Sequence, residues 1–585
     1  ILLARMPYPF LECATNSLGF AFLRFPSKRR RTLISNLAHA FPDWSESKLN
    51  EVARQSASRM FEMGFFSLTY PFLSPERRRH SVLYSEATEK TLTKLRESGR
   101  PVLFLLPHLC LFETIATSPF FRPQNGRRLG AIYRPNRNPA IDAQIDRARK
   151  STGMVTFSRK EGILKAKKHL AEGNWLIVLF DQNAGDRGTL DLFLDRLISF
   201  TSLPSLLCKN SVAQPVFAFP KRTGFFQTKL ELIPINGHSH DEIPTEAHNL
   251  LAKKIRQDPL GLPEWLWSHG KWKVQSRPES RFKISIKRDH LITKRDLPRK
   301  ASFCIRVPNW LGDVIMCLPL IKALRDGRPD ARFTVITKSQ FIPMLKLFNV
   351  ADDFIPLPET KGIRYYLDFI RNCKCLPECY LLFTNSLRGD FESLVSGSPQ
   401  RFGMILPNRI RPLLSHSFDT VNIKSEDIST LHQSRLWEKM MNRFGLIEKV
   451  CDQPFEIKGS KRDAQKIGII AGSSNNPVKR WSVRNWVALM SKLFLGLPNA
   501  KIYLYGTQED IPVANAIASG VNPKKIVNMA GKTDLRKLTL ELAGCRLVVG
   551  NDTGGMHLAN AVGTPVAVLF GPTNPLTTGP FFSSP

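Results

Sequence analysis

Two kinds of apolar pattern follow one another along this chain of 585 residues. Glu46–Phe66 reads as a helix, and the unbroken run Val102–Leu106 beyond it reads as a buried strand. Past residue 300 the pattern restarts as strand, turn and helix: Ser302–Val307, a turn, then Val314–Arg325. A new strand begins at Lys466–Ile470, and a later one, Leu547–Gly550, empties into a helix opening near Asn551. Strands alternating with helices predict parallel sheets in both halves. No short-period repeat interrupts them.

The composition shifts once, at Arg281–Lys300, which holds eight basic residues, two acidic ones and a proline. Such a stretch suits a tether between domains. A chain this long exceeds a single core. The divisions expected are therefore 1–280, a basic linker 281–300, 301–455 and 456–585. The first segment, Ile1–Phe25, is apolar but broken by Arg5, Pro7, Pro9 and Glu12, and Lys28–Arg31 follow it. That suits a helix lying on an anionic membrane surface, or equally a core helix with a solvated basic end. No run reaches the ~18 apolar residues of a spanning helix. The chain begins at Ile1 rather than Met, which leaves room for an upstream anchor or signal.

Charge narrows the partners. The net charge is +34, of which +22 falls in residues 1–300 and +12 in 301–585. That field concentrates anions: lipid headgroups, acidic carrier proteins, sugar nucleotides or nucleic acid. No zinc-finger spacing or RNA-binding aromatic signature is present, so nucleic acid is not expected. Ten cysteines without framework spacing point to a reducing compartment. Cys373, Cys375 and Cys379 cluster without a fourth ligand at the usual spacing, so a local loop is expected there rather than a metal.

Candidate chemistry appears where Val102–Leu106 ends in Pro107-His108, with Glu113 five residues on at the start of a helix. Ligands bind at the carboxyl edge of a parallel sheet. A His there can act as a base, and a nearby carboxylate can fix its tautomer; a purely structural pair has the same spacing. Pro107–Glu113 resembles the H-x4-D/E motif of glycerolipid acyltransferases. Asn36-Leu37 with Phe41-Pro42, Tyr133-Arg134-Pro135 with Asn138-Pro139, Asp181-Gln182-Asn183 with Gly185, and Pro263-Glu264 with Trp267 and His269 resemble, in order, the segments of the lipid A lauroyl/myristoyl acyltransferases. Over residues 10–280 the resemblance implies an α/β acyltransferase domain. It implies His108 as base, Glu113 as its orienting carboxylate, and Arg134 and Asp181 as substrate-binding. The family's glycines after D-Q-[DN] are absent here, where the chain reads Leu192-Phe193-Leu194 and Phe200–Pro204.

A second constellation follows Ser302–Val307: Pro308-Asn309-Trp310-Leu311-Gly312-Asp313, then a helix. Asp313 is a capping residue or a carboxylate facing a cleft. Later come Gly472-Ser473-Ser474, Lys479-Arg480-Trp481, and Asn551-Asp552-Thr553-Gly554-Gly555-Met556-His557 opening a helix. Small residues at a helix N-terminus let amides approach a pyrophosphate. No G-x-G-x-x-G or P-loop is present, which argues against dinucleotide oxidoreductases and P-loop NTPases. With Ala530–Leu535 and Gly563–Pro575, these pieces resemble the ADP-heptose:lipopolysaccharide heptosyltransferases. That family implies a GT-B fold of two Rossmann-like domains and inversion without a metal. Carried over by motif, Asp313 is the base and Asp552 holds the ribose. Lys479, Ser473, Ser474 and the amides of Thr553 and Gly554 bind the diphosphate, and His557 lies in the same substrate-binding motif. The family leads one to expect a further helix or two beyond Pro575, so the donor domain is expected to be incomplete here.

Together the resemblances imply a bifunctional enzyme of lipopolysaccharide assembly on the cytoplasmic face of a bacterial inner membrane. Its substrates would be an acyl carrier protein thioester and ADP-heptose, with no cofactor. Its partners would be acyl carrier protein, an anionic membrane surface and a lipid A/core acceptor. The same folds acting on another glycolipid or sugar nucleotide, or one half inactive and serving as a membrane module, stay open alternatives.

Overall fold

The computed structural model describes residues 2–25, 27–118, 121, 126–135, 138–158, 162–185, 188–237, 239–272, 300–373, 376–420, 430–473 and 477–583. The chain divides into two compact units, Ile1–Lys273 and Lys300–Pro585. The basic tether expected at 281–300 lies outside the described residues except for Lys300.

Among the described residues the first unit has nine strands: β1 (Val82–Tyr84), β2 (Val102–Leu106), β3 (Leu129–Tyr133), β4 (Val155–Ser158), β5 (Trp175–Leu179), β6 (Thr189–Phe193), β7 (Arg196–Phe200), β8 (Gln214–Gly224) and β9 (Gln227–Pro234). Seven form one sheet in the order β1-β9-β8-β2-β5-β3-β4. Its centre is parallel as the apolar runs predict, and β2 is buried along its whole length. The sheet is mixed, however. β8 returns through a tight turn into β9, so the β8–β9 pair is antiparallel. A hairpin of this kind needs only a short turn, whereas a parallel neighbour needs a long crossover. The hairpin β6–β7 stands apart and turns at Leu194 and Asp195, both at positive φ (49° and 67°). Two left-handed residues in a two-residue loop usually select Asn-Gly, so this turn is strained in its own backbone.

Helices Tyr8–Arg24, Lys28–Ala40 and Glu46–Thr69 precede the sheet. The first lies close on the third at Gly19, where a Cβ would stand 2.7 Å from the Ser58 backbone nitrogen. Glu62, fully buried on the third helix, accepts from Arg222 Nε at 2.9 Å, Arg59 at 3.1 Å and the Phe226 backbone N–H at 3.0 Å. These bonds tie the helices to the β8–β9 turn. Of the basic cluster, Lys28 and Arg29 are exposed while Arg31 is buried. No helix among the described residues is long and apolar enough to cross a membrane.

The second unit holds two parallel sheets. One has β10 (Ala301–Arg306), β11 (Ala331–Thr337), β12 (Asp353–Pro356), β13 (Cys379–Leu382), β14 (Gln400–Ile405) and β15 (His416–Asp419), in the order β12-β11-β10-β13-β14-β15. The other has β16 (Asp463–Ile470), β17 (Lys501–Leu504), β18 (Ile526–Asn528), β19 (Cys545–Asn551) and β20 (Val566–Leu569), in the order β18-β17-β16-β19-β20. Both follow the doubly wound pattern in which order reverses beside the first strand, and ligands bind at the carboxyl edge of such a reversal. One apolar core runs through both, from Phe303 and Val314 to Met556, Ala561 and Phe582. The C-terminal residues return to the first sheet's side: His432 Nε2 meets the Gly579 carbonyl at 2.8 Å.

Candidate active sites

The first site forms where β2 and β5 end side by side. Their register pairs Leu106 with Leu179, so two residues further on His108 and Asp181 stand opposite each other. His108 Nδ1 pairs with Asp181 Oδ1, and the His108 backbone N–H donates to Oδ2 at 3.0 Å. Trp265 Nε1 donates to the same Oδ2 at 2.8 Å. Burial alone would raise the Asp181 carboxyl. The charge and hydrogen bond of His108, the Lys271 ammonium and the Trp265 bond outweigh it and hold the group far below the usual carboxylate range. With Nδ1–H given to Asp181, Nε2 is the acceptor, and the Gln182 amide donates to it at 2.8 Å.

The resemblance implies Glu113 as the carboxylate that orients His108. The structure corrects this: Glu113 pairs with Arg149, through Nε at 3.2 Å and through the terminal nitrogen. The reason is local. Beyond Pro107 the chain turns, and Glu113 stands at the N-terminus of the short helix Thr114–Thr117, facing the end of helix Pro139–Lys150 where Arg149 sits. Arg149 also lies over the Tyr133 ring. Arg134 is exposed at the carboxyl end of β3, which β5 separates from β2, so it shares the edge on which His108 stands.

The scattered motifs converge here. Asn36 donates to the carbonyls of Trp267 and His269, at 2.7 and 2.8 Å. The Leu266 N–H donates to the His108 carbonyl at 3.0 Å. Asn183 donates to the Lys271 carbonyl at 2.9 Å. His269 stacks on His108 with ring centroids 5.9 Å apart, and burial drops its pKa to about 4. Lys271 was not foreseen. It is fully buried, donating to the Asp181 carbonyl at 2.6 Å and meeting His248 Nε2 at 2.8 Å, and burial lowers its pKa to about 7. Its only signal in the sequence was its place just after the W-x-H segment.

The second site lies in the other unit. Arg306, buried at the end of β10, binds Glu392 at 2.8 Å and reaches Asn309 at 3.0 Å, which fixes the turn before Trp310. Helix Leu311–Gly327 starts there and carries Asp313 in its first turn; burial raises the Asp313 pKa above that of an ordinary carboxylate. Across from it, β16 and β19 end in register, Ile470 beside Gly550. Beyond them Asn551 donates to the Ala471 carbonyl at 2.7 Å and accepts from the Trp481 N–H at 3.2 Å. Lys479 donates to Asp552 Oδ2 at 2.7 Å, and Thr573 Oγ1 donates to the same oxygen at 2.6 Å.

Thr553 stands at the N-cap position of helix Gly554–Ala561, and its buried hydroxyl has no hydrogen-bond partner among the described residues. Ser473 is buried and its carbonyl accepts from Arg480 at 2.9 Å; Ser474 lies outside the described residues. A Cβ on Gly554 would sit 2.7 Å from Leu311 Cβ and 3.0 Å from Gly312 N, and one on Gly312 would sit 3.1 Å from the His557 ring. Helix Leu311–Gly327 therefore meets helix Gly554–Ala561 backbone to backbone, bringing the Asp313 turn to the loop of Asp552. Burial takes His557 down to about 4, so it is a neutral packing partner of that contact.

Cys373 and Cys379 are buried free thiols, and Cys375 lies outside the described residues. Among the described residues no three ligating side chains gather.

Comparison with known proteins matches one family to the first unit and another to part of the second. Residues 1–274 match the family of bacterial lipid A biosynthesis acyltransferases, and residues 434–584 match glycosyltransferase family 9 (heptosyltransferase). Lipopolysaccharide heptosyltransferase 2 of Escherichia coli (strain K12) is 26% identical over 297 residues, which is 47% of this chain and 83% of that protein. Lipid A biosynthesis acyltransferase of Haemophilus influenzae is 24% identical over 279 residues, 46% of this chain and 83% of that protein. The solved structure of E. coli ADP-heptose lps heptosyltransferase II is similar at 22% identity and a TM-score of 0.41, covering 48% of this chain and 88% of its own. One polypeptide thus joins two regions that each match a family of transferases, an acyltransferase family in the first half and a glycosyltransferase family in the second.

Proposed function

We propose that the chain is a bifunctional enzyme of lipopolysaccharide assembly. In the first unit, a hydroxyl of a lipid A precursor attacks the thioester carbonyl of an acyl carrier protein. His108 Nε2 takes the hydroxyl proton, Asp181 stabilises the imidazolium, and the proton leaves with the carrier thiol as the tetrahedral intermediate collapses. Arg134, on the same edge, meets a phosphate of the precursor. The observation that supports this reading is the His108–Asp181 pair at the carboxyl edge of β2 and β5.

In the second unit, read as a GT-B glycosyltransferase, Asp313 takes the proton of an inner-core hydroxyl. That oxygen bonds to the sugar carbon of ADP-heptose as ADP leaves from the opposite face, with inversion. Lys479, Ser473, Ser474 and the amides at Thr553 and Gly554 hold the diphosphate, and Asp552 the ribose, so that no divalent metal is required. The Lys479–Asp552–Thr573 cluster beside an unpartnered Thr553 hydroxyl supports this assignment. We place the protein at the cytoplasmic membrane face. Helix Tyr8–Arg24 turns Phe10 and Phe20 outward, beside exposed Phe25, Lys28 and Arg29.

Mass spectrometry of lipid A and core from cells lacking the chain tests both halves at once. Restoring it with His108→Ala should leave an acyl chain missing, and with Asp313→Asn a heptose missing. Unchanged lipid A and core in the deleted strain would refute the assignment.

A further inference from the structure

We infer that the second unit carries its own docking surface for an anionic lipid bilayer, on the outer face of helices Gly362–Asn372 and Leu387–Val395. In this sheet, side chains alternate between two faces. Phe303, Ile305, Val335 and Leu381 point into the core shared with helix Leu311–Gly327. Cys304, Ile336, Tyr380 and Leu382 point the other way, against Phe369 and Val395. The two helices cover that second face.

Their outer sides are apolar where an ordinary surface helix is polar. Helix Gly362–Asn372 buries Tyr365 and Phe369 but exposes Ile363, Leu367 and Ile370, a stripe at helical spacing; Ile363 is 80% and Leu367 50% exposed. The neighbouring helix exposes Leu387 and Phe391. Tyr366 joins the two stripes through its ring contact with Phe391, at 5.9 Å. A contiguous exposed apolar patch of this kind marks an interaction surface.

The occupant follows from the rim. Lys361, Arg364, Arg371 and Arg388 are all exposed around the patch. Of the carboxylates nearby, Asp368 is bound to Thr360 and Arg371, Glu392 is buried against Arg306 and Tyr365, Asp390 is buried against Arg411, and Glu359 is exposed, set against the four exposed cations. Aliphatic and aromatic side chains ringed by cations match the headgroup boundary of an anionic bilayer. A protein partner of ordinary composition would face an unmatched ring of positive charge.

The position adds to this. Helices that follow parallel strands run back along the sheet, so Gly362 and Leu387 begin at the carboxyl edge, where the Asp313 turn lies. A bilayer on this patch would bring a lipid-borne hydroxyl to the mouth of the glycosyltransferase site. That purpose rests on the proposed function; the surface itself rests on its own residues.

The test uses the full chain and needs no sugar donor, so its failure is separate from failure of the transferase reading. A diazirine amino acid replaces Leu367, and in a control replaces Leu495, an equally apolar exposed residue (83%) on helix Val483–Gly496. Each protein is irradiated on phosphatidylglycerol/phosphatidylcholine vesicles and on phosphatidylcholine alone, and lipid adducts are read by peptide mass spectrometry. The expected result is adduct at position 367 on anionic vesicles, with little at 495. Adding Arg364→Glu and Arg388→Glu should lower it by about fivefold or more per cation, while ADP binding stays intact. Equal labelling at the two positions, labelling indifferent to lipid charge, or adducts to protein instead of lipid would overturn the inference.

Discussion

Gln182 donates its side-chain amide to His108 Nε2, the nitrogen a substrate hydroxyl must reach. The proposed base is therefore capped by Gln182, the residue that directly follows Asp181. An acceptor must displace this bond, which is worth about 0.5–1.5 kcal/mol net. Gln182→Ala should lower the acceptor KM by up to about tenfold while kcat changes little. Steady-state kinetics decides it, and a rise in KM would mean that Gln182 instead binds the acceptor.

Asp181→Asn should cost about 10²–10⁴ in acyl-transfer kcat, because the tautomer and the imidazolium both lose their support. Glu113→Gln should act differently. It leaves Arg149 buried without its carboxylate, costing about 3 kcal/mol of stability. The double variant Glu113→Gln with Arg149→Met should recover part of that. Kinetics and urea unfolding on the same samples separate the two effects; equal kcat losses in folded Asp181→Asn and Glu113→Gln would restore Glu113 as an orienter.

The buried bases of this site set a pH signature. Below pH 6.5 the unfolded chain protonates His269, which the folded chain resists until about pH 4, so stability falls as pH drops through that window. Lys271 acts at the other end. Between about pH 7 and 10.5 it is charged unfolded and neutral folded, so stability rises with pH there. His269→Gln should flatten the acid limb and Lys271→Met the alkaline one, by up to about 1.4 kcal/mol per pH unit each. The urea midpoint of the first unit against pH is the measurement, and curves parallel to wild type would refute the shifts.

Asp313→Asn should abolish glycosyl transfer yet leave ADP binding nearly intact. In the wild type, transfer should fall on acidification through a pKa above that of an ordinary carboxylate, since burial lifts this group and a base must be ionised. Lys479→Ala should instead weaken ADP by about 10–100-fold, the loss of one charge-assisted contact. Calorimetric titration with EDTA present reads both variants, and binding that vanishes on chelation would contradict the proposal that no divalent metal is required.

Much of this was legible in the chain. The strand before His108 and the helix after Asn551 lie where local pattern put them, because strand and cap are decided within about ten residues; the helix expected from Val314 begins already at Leu311, so Asp313 sits inside its first turn and Trp310 at its cap. The partner of His108 was not. Asp181 reaches it only through the β2–β5 register, and a sequence does not say which strands are neighbours. A spacing of five drew attention to Glu113, yet once a chain leaves a strand through a turn, spacing no longer fixes direction. Lys271 was hidden for a related reason: a lysine near a basic linker looks solvated, and its burial comes from Asp181 and His248 on distant elements.

The meeting of Gly312 and Gly554 bears on how closely the two sheets of the second unit can approach. Contacts made by interlocked side chains must be undone rotamer by rotamer before two layers can turn against each other. Here two main chains bear directly on one another, with Leu311 and His557 lying alongside. The approach of the two helices is therefore set at this point by main chain, beside the shared apolar core, and not by the length of an interposed side chain. A substituent as small as a methyl at Gly554 would wedge that contact open, and the same contact that holds the sheets together would then hold them apart.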